Sequence, residues 1–195
     1  LESPAADMNT RLLSLALVGM LLGSPPSALA QHAAPRGVTL APLYQMATAD
    51  GRRITRSDLQ RQPFVVFFGF THCPDVCPTT LLVLSNLLET LGAEARKLKV
   101  FFISVDPERD TPDHLKTYMA SFDPRISALS GSTIDVAAVA HAFDAFYERI
   151  PGKDGRYSFD HTTKIYVMDS FGLLAATVDP QTDRDRTETV LRKVL

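Results

Sequence analysis

Apolar positions follow two kinds of pattern along this chain of 195 residues. Phe64-Val65-Val66-Phe67-Phe68-Gly69-Phe70 and Val100 to Val105 are nearly unbroken apolar runs rich in aromatic and β-branched residues, the pattern of strands covered on both faces. Between them Leu81, Leu82, Leu84, Leu87, Leu88 and Leu91 recur at spacings of three and four, which predicts a helix beginning at Pro78. Together these segments read as one βαβ unit. Thr111-Pro112 supplies an N-cap and a proline at the first helical position for a second helix, ending near Phe122 before Asp123-Pro124. Ser132 and Asp135 resemble a capping box for a third helix, whose apolar face runs through Val136, Val139, Ala140, Phe143 and Phe146 to Pro151-Gly152. Lys164 to Met168 and Leu173 to Val178 alternate as strands about the turn Asp169-Ser170-Phe171-Gly172, and Arg184 to Leu195 is an amphipathic closing helix. Upstream, Leu43 to Thr55 reads as two short extended pieces joined at Asp50-Gly51, covering a sheet edge.

A hairpin, a βαβ unit, helices and a final ββα is the order of a thioredoxin-like α/β sandwich, with an inserted strand and helix around residues 126 to 147. One domain over 43–195 accounts for all of it. The segment before that domain has a different character. From Met8 the chain runs through Arg11 into an 11-residue apolar stretch, Leu12 to Leu22, then Gly-Ser-Pro-Pro-Ser and Ala28-Leu29-Ala30. A spanning helix needs about 20 apolar residues, so the stretch reads as an export signal with an A-x-A cleavage site, a permanent anchor being the weaker reading. Residues 1–30 are thus an N-terminal extension and signal, and 31–42 a Pro/Ala-rich lead-in. Export places the domain in the periplasm or at the outer face of the inner membrane.

Charge narrows the partners. With 20 basic and 22 acidic residues and a net charge of −2, the chain carries no Lys/Arg block for nucleic acid or anionic lipid. Two cysteines are too few for a disulfide-stapled scaffold, a Cys-rich zinc site or an iron–sulfur cluster. They stand together in Thr71-His72-Cys73-Pro74-Asp75-Val76-Cys77-Pro78, at the end of the first buried strand, where open α/β sheets bind ligands. The C-x3-C spacing is one residue longer than that of disulfide oxidoreductases. If the turn is helical, positions i and i+4 bring both sulfurs to one side, close enough for a disulfide or for one metal ion. Cys77 precedes Pro78 at the positive end of the helix, which predicts that Cys77 is the reactive thiolate. A buried stabilising disulfide fits less well, because so short a loop removes little chain entropy.

Two thiolates form a soft pair suited to copper(I), zinc or an iron–sulfur cluster, and a third ligand decides among them. Of five histidines, His32 lies in the lead-in, His114 and His141 fall on exposed helix faces, and His72 points away from Cys73 if the segment is extended. His161, just before the last hairpin, could reach the sulfurs or be a surface loop histidine. A Cys2His set favours copper, with Asp160 or Asp75 as a further carboxylate for copper(II), while structural zinc lacks a fourth ligand. Asp106 lies near the same sheet edge and reads first as a turn residue before proline.

Three segments carry a family resemblance: Phe67 to Pro78, then Ile103-Ser104-Val105-Asp106-Pro107-Glu108-Arg109-Asp110-Thr111-Pro112, then Asp160-His161. Across residues 40 to 195 the chain resembles the Sco/SenC family of copper chaperones for cytochrome c oxidase assembly. The resemblance implies Cys73, Cys77 and His161 as ligands for copper(I) and copper(II). It implies delivery to the CuA site of cytochrome c oxidase subunit II, with a thiol reductant or copper donor protein as further partner. The chain is then a membrane-proximal monomer and not an enzyme. Some members of the family look more like thiol–disulfide reductases acting on the CuA cysteines. A thiol peroxidase on the same fold is the weakest alternative, since Phe70 occupies the position where such a loop needs threonine. The third ligand separates the first two readings, because copper retention needs it and thiol exchange does not.

Overall fold

The computed structural model describes residues 37–195. The signal segment and most of the lead-in therefore lie outside the described residues. Strands β1 (Ala47–Thr48), β2 (Phe64–Gly69), β3 (Lys99–Ser104), β4 (Ile126–Ser130), β7 (Ile165–Met168) and β8 (Leu174–Val178) form one six-stranded sheet in the order β1-β4-β3-β2-β7-β8. The strands β2, β3 and β4 are mutually parallel, while β1 pairs antiparallel to β4 and β7 and β8 form an antiparallel edge beside β2. Helices α1 (Arg56–Leu59), α2 (Val76–Leu91), α3 (Pro112–Met119), α4 (Thr133–Ala142) and α5 (Arg184–Val194) make up the α part of this α/β fold. A separate two-stranded ribbon joins β5 (Tyr147–Pro151) to β6 (Tyr157–His161).

Every residue of β2 is buried, as the unbroken apolar run requires of a central strand. Alternation sends Phe64, Val66 and Phe68 to one face and Val65, Phe67 and Gly69 to the other. Phe68 meets Phe143 and Tyr166 edge-on, each at a centroid separation of 5.9 Å, while Phe67 tilts against Phe102 at 5.8 Å. Both helix caps legible in the sequence are present. Thr111 accepts from the His114 N–H, and Ser132 and Asp135 form a reciprocal capping box.

Three expectations change. The third helix stops at Ala142, because Asp144 adopts a positive φ of 53°, a conformation that ends helical geometry. Phe146, counted as a continuation of the helix face, is instead half-exposed before β5, and Tyr147 to Pro151 is a strand. Upstream, Ala41 to Gln45 is a 3-10 turn, so the N-terminal hairpin shrinks to β1 and an isolated bridge from Ala47 to Arg53. Residues 37–42, read as lead-in, pack on the domain, with Gly37 bridged to Leu173 and Leu40 against the core.

The last residue of β2 has a steric requirement. A Cβ on Gly69 would stand 2.7 Å from Phe102 Cε2 and 2.8 Å from Cys77 Sγ, closer than carbon or sulfur tolerates. Gly69 thus lets α2 bring a sulfur down onto the sheet. Gly69→Ala is expected to destabilise the fold by about 1–3 kcal/mol, the usual cost of overpacking a closed core, read as a lower urea midpoint with unchanged slope.

Candidate metal centre

The chain leaves β2 at Phe70 and turns at once, the Cys73 N–H donating to the Phe70 carbonyl at 3.3 Å. Thr71 is fixed by the fully buried Asp110 carboxylate, which accepts from the Thr71 N–H at 3.0 Å and from its hydroxyl at 2.5 Å. The same carboxylate accepts from Ser104 Oγ at 2.5 Å, which joins the end of β3 to the start of the cysteine loop. Helix α2 begins two residues earlier than expected, with Asp75 in the N-cap position but its side chain not capping. The Cys77 N–H, a donor with no intrahelical partner at this end, donates to Cys73 Sγ at 3.4 Å.

The two thiols, both unbridged, have opposite surroundings. Cys73 is half-buried and Cys77 is fully buried against Gly69. The Cys77 thiol, then the backbone N–H groups of Cys77 and Asp75, hold Cys73 far below the ordinary thiol range, against the opposing effect of burial. Hydrogen bonding to Cys73, followed by burial, pushes Cys77 up. The sequence expectation is therefore reversed: Cys73 is the thiolate at the helix end and Cys77 the protonated reserve. Proximity to a helix N-terminus favours Cys77 as thiolate, but donating its proton to Cys73, and then its position in the core, outweigh that.

His161 closes the cluster. It is the last residue of β6 and is 8% exposed. Its Nδ1 lies 3.0 Å from the Thr162 carbonyl, which can only accept. The proton therefore sits on Nδ1, and Nε2 is the nitrogen directed at Cys77 Sγ, 3.4 Å away. Phe67 and Phe70 pack edge-on against the ring at centroid separations of 6.4 and 5.7 Å. One donor atom each from Cys73, Cys77 and His161 lies within 4.8 Å of the others. Two sulfurs and one imidazole nitrogen in a small, mostly buried space are a soft donor set that fits copper(I).

Asp160 does not join the cluster. Strand alternation turns Tyr157, Phe159 and His161 inward and leaves Asp160 exposed. Asp75 and Asp160 both line a pocket of about 180 Å³ beside Cys73, with His161 in its wall. His72 is exposed and faces Thr71 and Asp110 instead of the sulfurs. Asp106 is buried and accepts from Arg109 Nε and, at 2.9 Å, from the Tyr157 hydroxyl, so it is a turn residue with a structural task.

That task was not visible in the sequence. The guanidinium carbons of Arg109 and Arg149 lie 3.7 and 3.6 Å from the Tyr157 ring centroid, so short that they must occupy opposite faces. Arg109 Nη1 also donates to the Tyr157 carbonyl, and Arg149 pairs with Glu108 at 3.2 Å. The β3–α3 loop thereby clamps the hairpin that carries His161. Arg109 is far in sequence from Arg149 and Tyr157, all three are unremarkable by type, and only Arg109 falls within a segment that carries the family resemblance.

The SCO1/SenC family model matches residues 33–195. The chain belongs to the SCO1/SenC family. An SCO2-like protein of Rickettsia felis is 33% identical over 131 residues, covering 66% of this chain and 64% of that protein. The human mitochondrial SCO2 homolog is 38% identical over 126 residues, or 63% of this chain and 47% of that protein. This SCO1/SenC chain thus spans less than two thirds of the length of either relative. The structure of Bradyrhizobium japonicum ScoI with copper bound superposes with a TM-score of 0.72 at 39% identity, covering 78% of this chain and 97% of that one. The thioredoxin-like α/β fold expected from the element order is the fold of these neighbours.

Two outcomes follow from the site. Iodoacetamide at pH 5 is expected to alkylate Cys73 and spare Cys77, as located by peptide mass spectrometry, and Cys77→Ala should slow Cys73 labelling at that pH by removing the thiol that stabilises its thiolate. Tyr157→Ala is expected to cost the hairpin about 1–3 kcal/mol of local opening free energy, seen as faster amide exchange in β5 and β6 with β2 and β3 unchanged.

Proposed function

We propose that this chain is a copper metallochaperone that holds copper through Cys73, Cys77 and His161 and supports assembly of the CuA centre of cytochrome c oxidase. The single observation carrying this reading is the convergence of two sulfurs and a tautomer-fixed imidazole within 4.8 Å, on a chain whose solved relatives include Bradyrhizobium japonicum and Arabidopsis thaliana ScoI with copper bound. Copper is the cargo. Copper(I) is satisfied by two thiolates and a nitrogen, whereas copper(II) favours imidazole and oxygen donors, which His161 and the carboxylates at the pocket mouth supply. Half-exposed Cys73 is the ligand that an incoming thiolate of the recipient reaches first, so transfer proceeds by ligand exchange at Cys73 while Cys77 and His161 still hold the ion. An exported location at the outer face of the inner membrane fits the signal segment, and no helix among the described residues is long and apolar enough to cross a membrane.

The division of labour between the cysteines favours a second reading, a thiol–disulfide reductase. An accessible, acid-shifted Cys73 is a suitable attacking thiolate, and buried Cys77 is placed to resolve the mixed disulfide. The two activities exclude each other in time, since sulfurs joined in a disulfide cannot both coordinate copper as thiolates.

Reduced protein loaded anaerobically is expected to hold one copper per chain, lost in Cys73→Ser or Cys77→Ser, because a serine hydroxyl is a hard, poorly ionised donor. His161→Ala should weaken copper(II) most and leave disulfide reduction intact. Complementation of CuA-dependent oxidase activity by His161→Ala decides between the readings: failure to complement supports the chaperone, and full rescue without copper(II) binding establishes the reductase.

A further inference from the structure

A second cluster of metal-ligating side chains lies one residue along the loop from Cys73. His72, Asp110 and His114 each place a donor atom within 4.8 Å of the other two. The imidazoles of His72 and His114 lie nearly parallel, 21° apart, with centroids separated by 5.3 Å. Both residues are exposed, so their nitrogens open to solvent, whereas Asp110 is fully buried behind them.

The buried carboxylate gives the pair its chemistry. Three donors hold Asp110, namely the Thr71 N–H, the Thr71 hydroxyl and the Ser104 hydroxyl, and none of them is a cation. Its nearest basic side chain is His72, whose Nδ1 stands 3.8 Å from Oδ1. That gap is too long for a direct hydrogen bond, so the carboxylate reaches the imidazole through the Thr71 hydroxyl between them. Thr71 Oγ1 donates to Asp110 and therefore accepts from His72 Nδ1, 3.1 Å away. This relay puts the His72 proton on Nδ1 and the lone pair on Nε2, the arrangement in which a carboxylate behind a histidine strengthens a metal ligand. His114 is fixed in the first turn of α3, capped by Thr111.

We propose that His72 and His114, backed by the buried Asp110 carboxylate, form a second metal site, selective for divalent cations that prefer imidazole. The donors are imidazole nitrogens, with no sulfur, so copper(II), nickel(II) and zinc(II) are the ions of choice and copper(I) is not. The Cys73, Cys77 and His161 cluster shares no ligand with it, and the proposal stands whether or not that cluster carries copper.

Zinc(II) is the probe, because it adds no redox chemistry. In the intact reduced chain, imidazole 1H–15N spectra during zinc titration are expected to show His72 and His114 shifting together. In Cys73→Ala/Cys77→Ala, calorimetry should find one zinc per chain, and adding His72→Ala or His114→Ala should weaken it about tenfold or more. His141→Ala, an exposed helix histidine outside the cluster, should leave it unchanged. Zinc binding in the double-cysteine variant that survives both histidine substitutions, or intact-chain spectra in which His72 and His114 do not move, overturns the site. The intact-chain spectra decide the matter if the double-cysteine variant does not fold.

Discussion

The Asp110 carboxylate is the interaction on which the rest of this end of the molecule depends. A fully buried charge is costly unless it is hydrogen-bonded, and Asp110 takes its donors from two segments, Thr71 after β2 and Ser104 at the end of β3. Meeting that requirement brings the start of the cysteine loop and the start of the loop to α3 into one position. The Asp106 N–H adds a bond to Ser104 Oγ, so the residue that anchors Arg109 and Tyr157 hangs on the same network. Loss of the carboxylate would release the cysteine loop and the hairpin clamp together.

Fine differences in depth then separate two chemically identical side chains. Four residues and one helical turn divide Cys73 from Cys77, yet one faces the pocket and the other rests on Gly69. The Cys77 thiol and then its backbone N–H favour charge on the Cys73 sulfur, and that same shared hydrogen bond, followed by burial in the core, keeps the Cys77 sulfur neutral. Position, not residue type, assigns the roles.

How much of this could be read in advance follows from how local each signal is. The runs at Phe64 and Val100, the caps at Thr111 and Ser132 and the C-x3-C motif depend on neighbours in sequence, and all were legible. The β5–β6 hairpin was not, because Phe143 and Phe146 continue the helical period past the point where Asp144 breaks it. Its side-chain pattern has a physical reason that periodicity misses, since Tyr157, Phe159 and His161 are held by Arg109 and Phe70 from distant loops. Asp110 and Arg109 likewise gain meaning only through contacts across the fold. For Cys77 the helix-end argument was sound as far as it went, and the hydrogen bond to Cys73 together with burial, neither of which sequence reports, outweighed it.

The ribbon of β5 and β6 pairs with itself and shares no ladder with the main sheet. Its hold on the domain comes from side chains and from the Phe146–Thr162 hydrogen bonds at its base. The two sulfurs therefore reach the cluster from the loop and helix after β2, and the nitrogen from a ribbon held beside them by side chains. An ion bound to all three would tie the ribbon to the cysteine loop across that seam. The Tyr157 ring, held between two arginines at the opposite end of β6, thereby sets where the His161 nitrogen stands relative to the sulfurs.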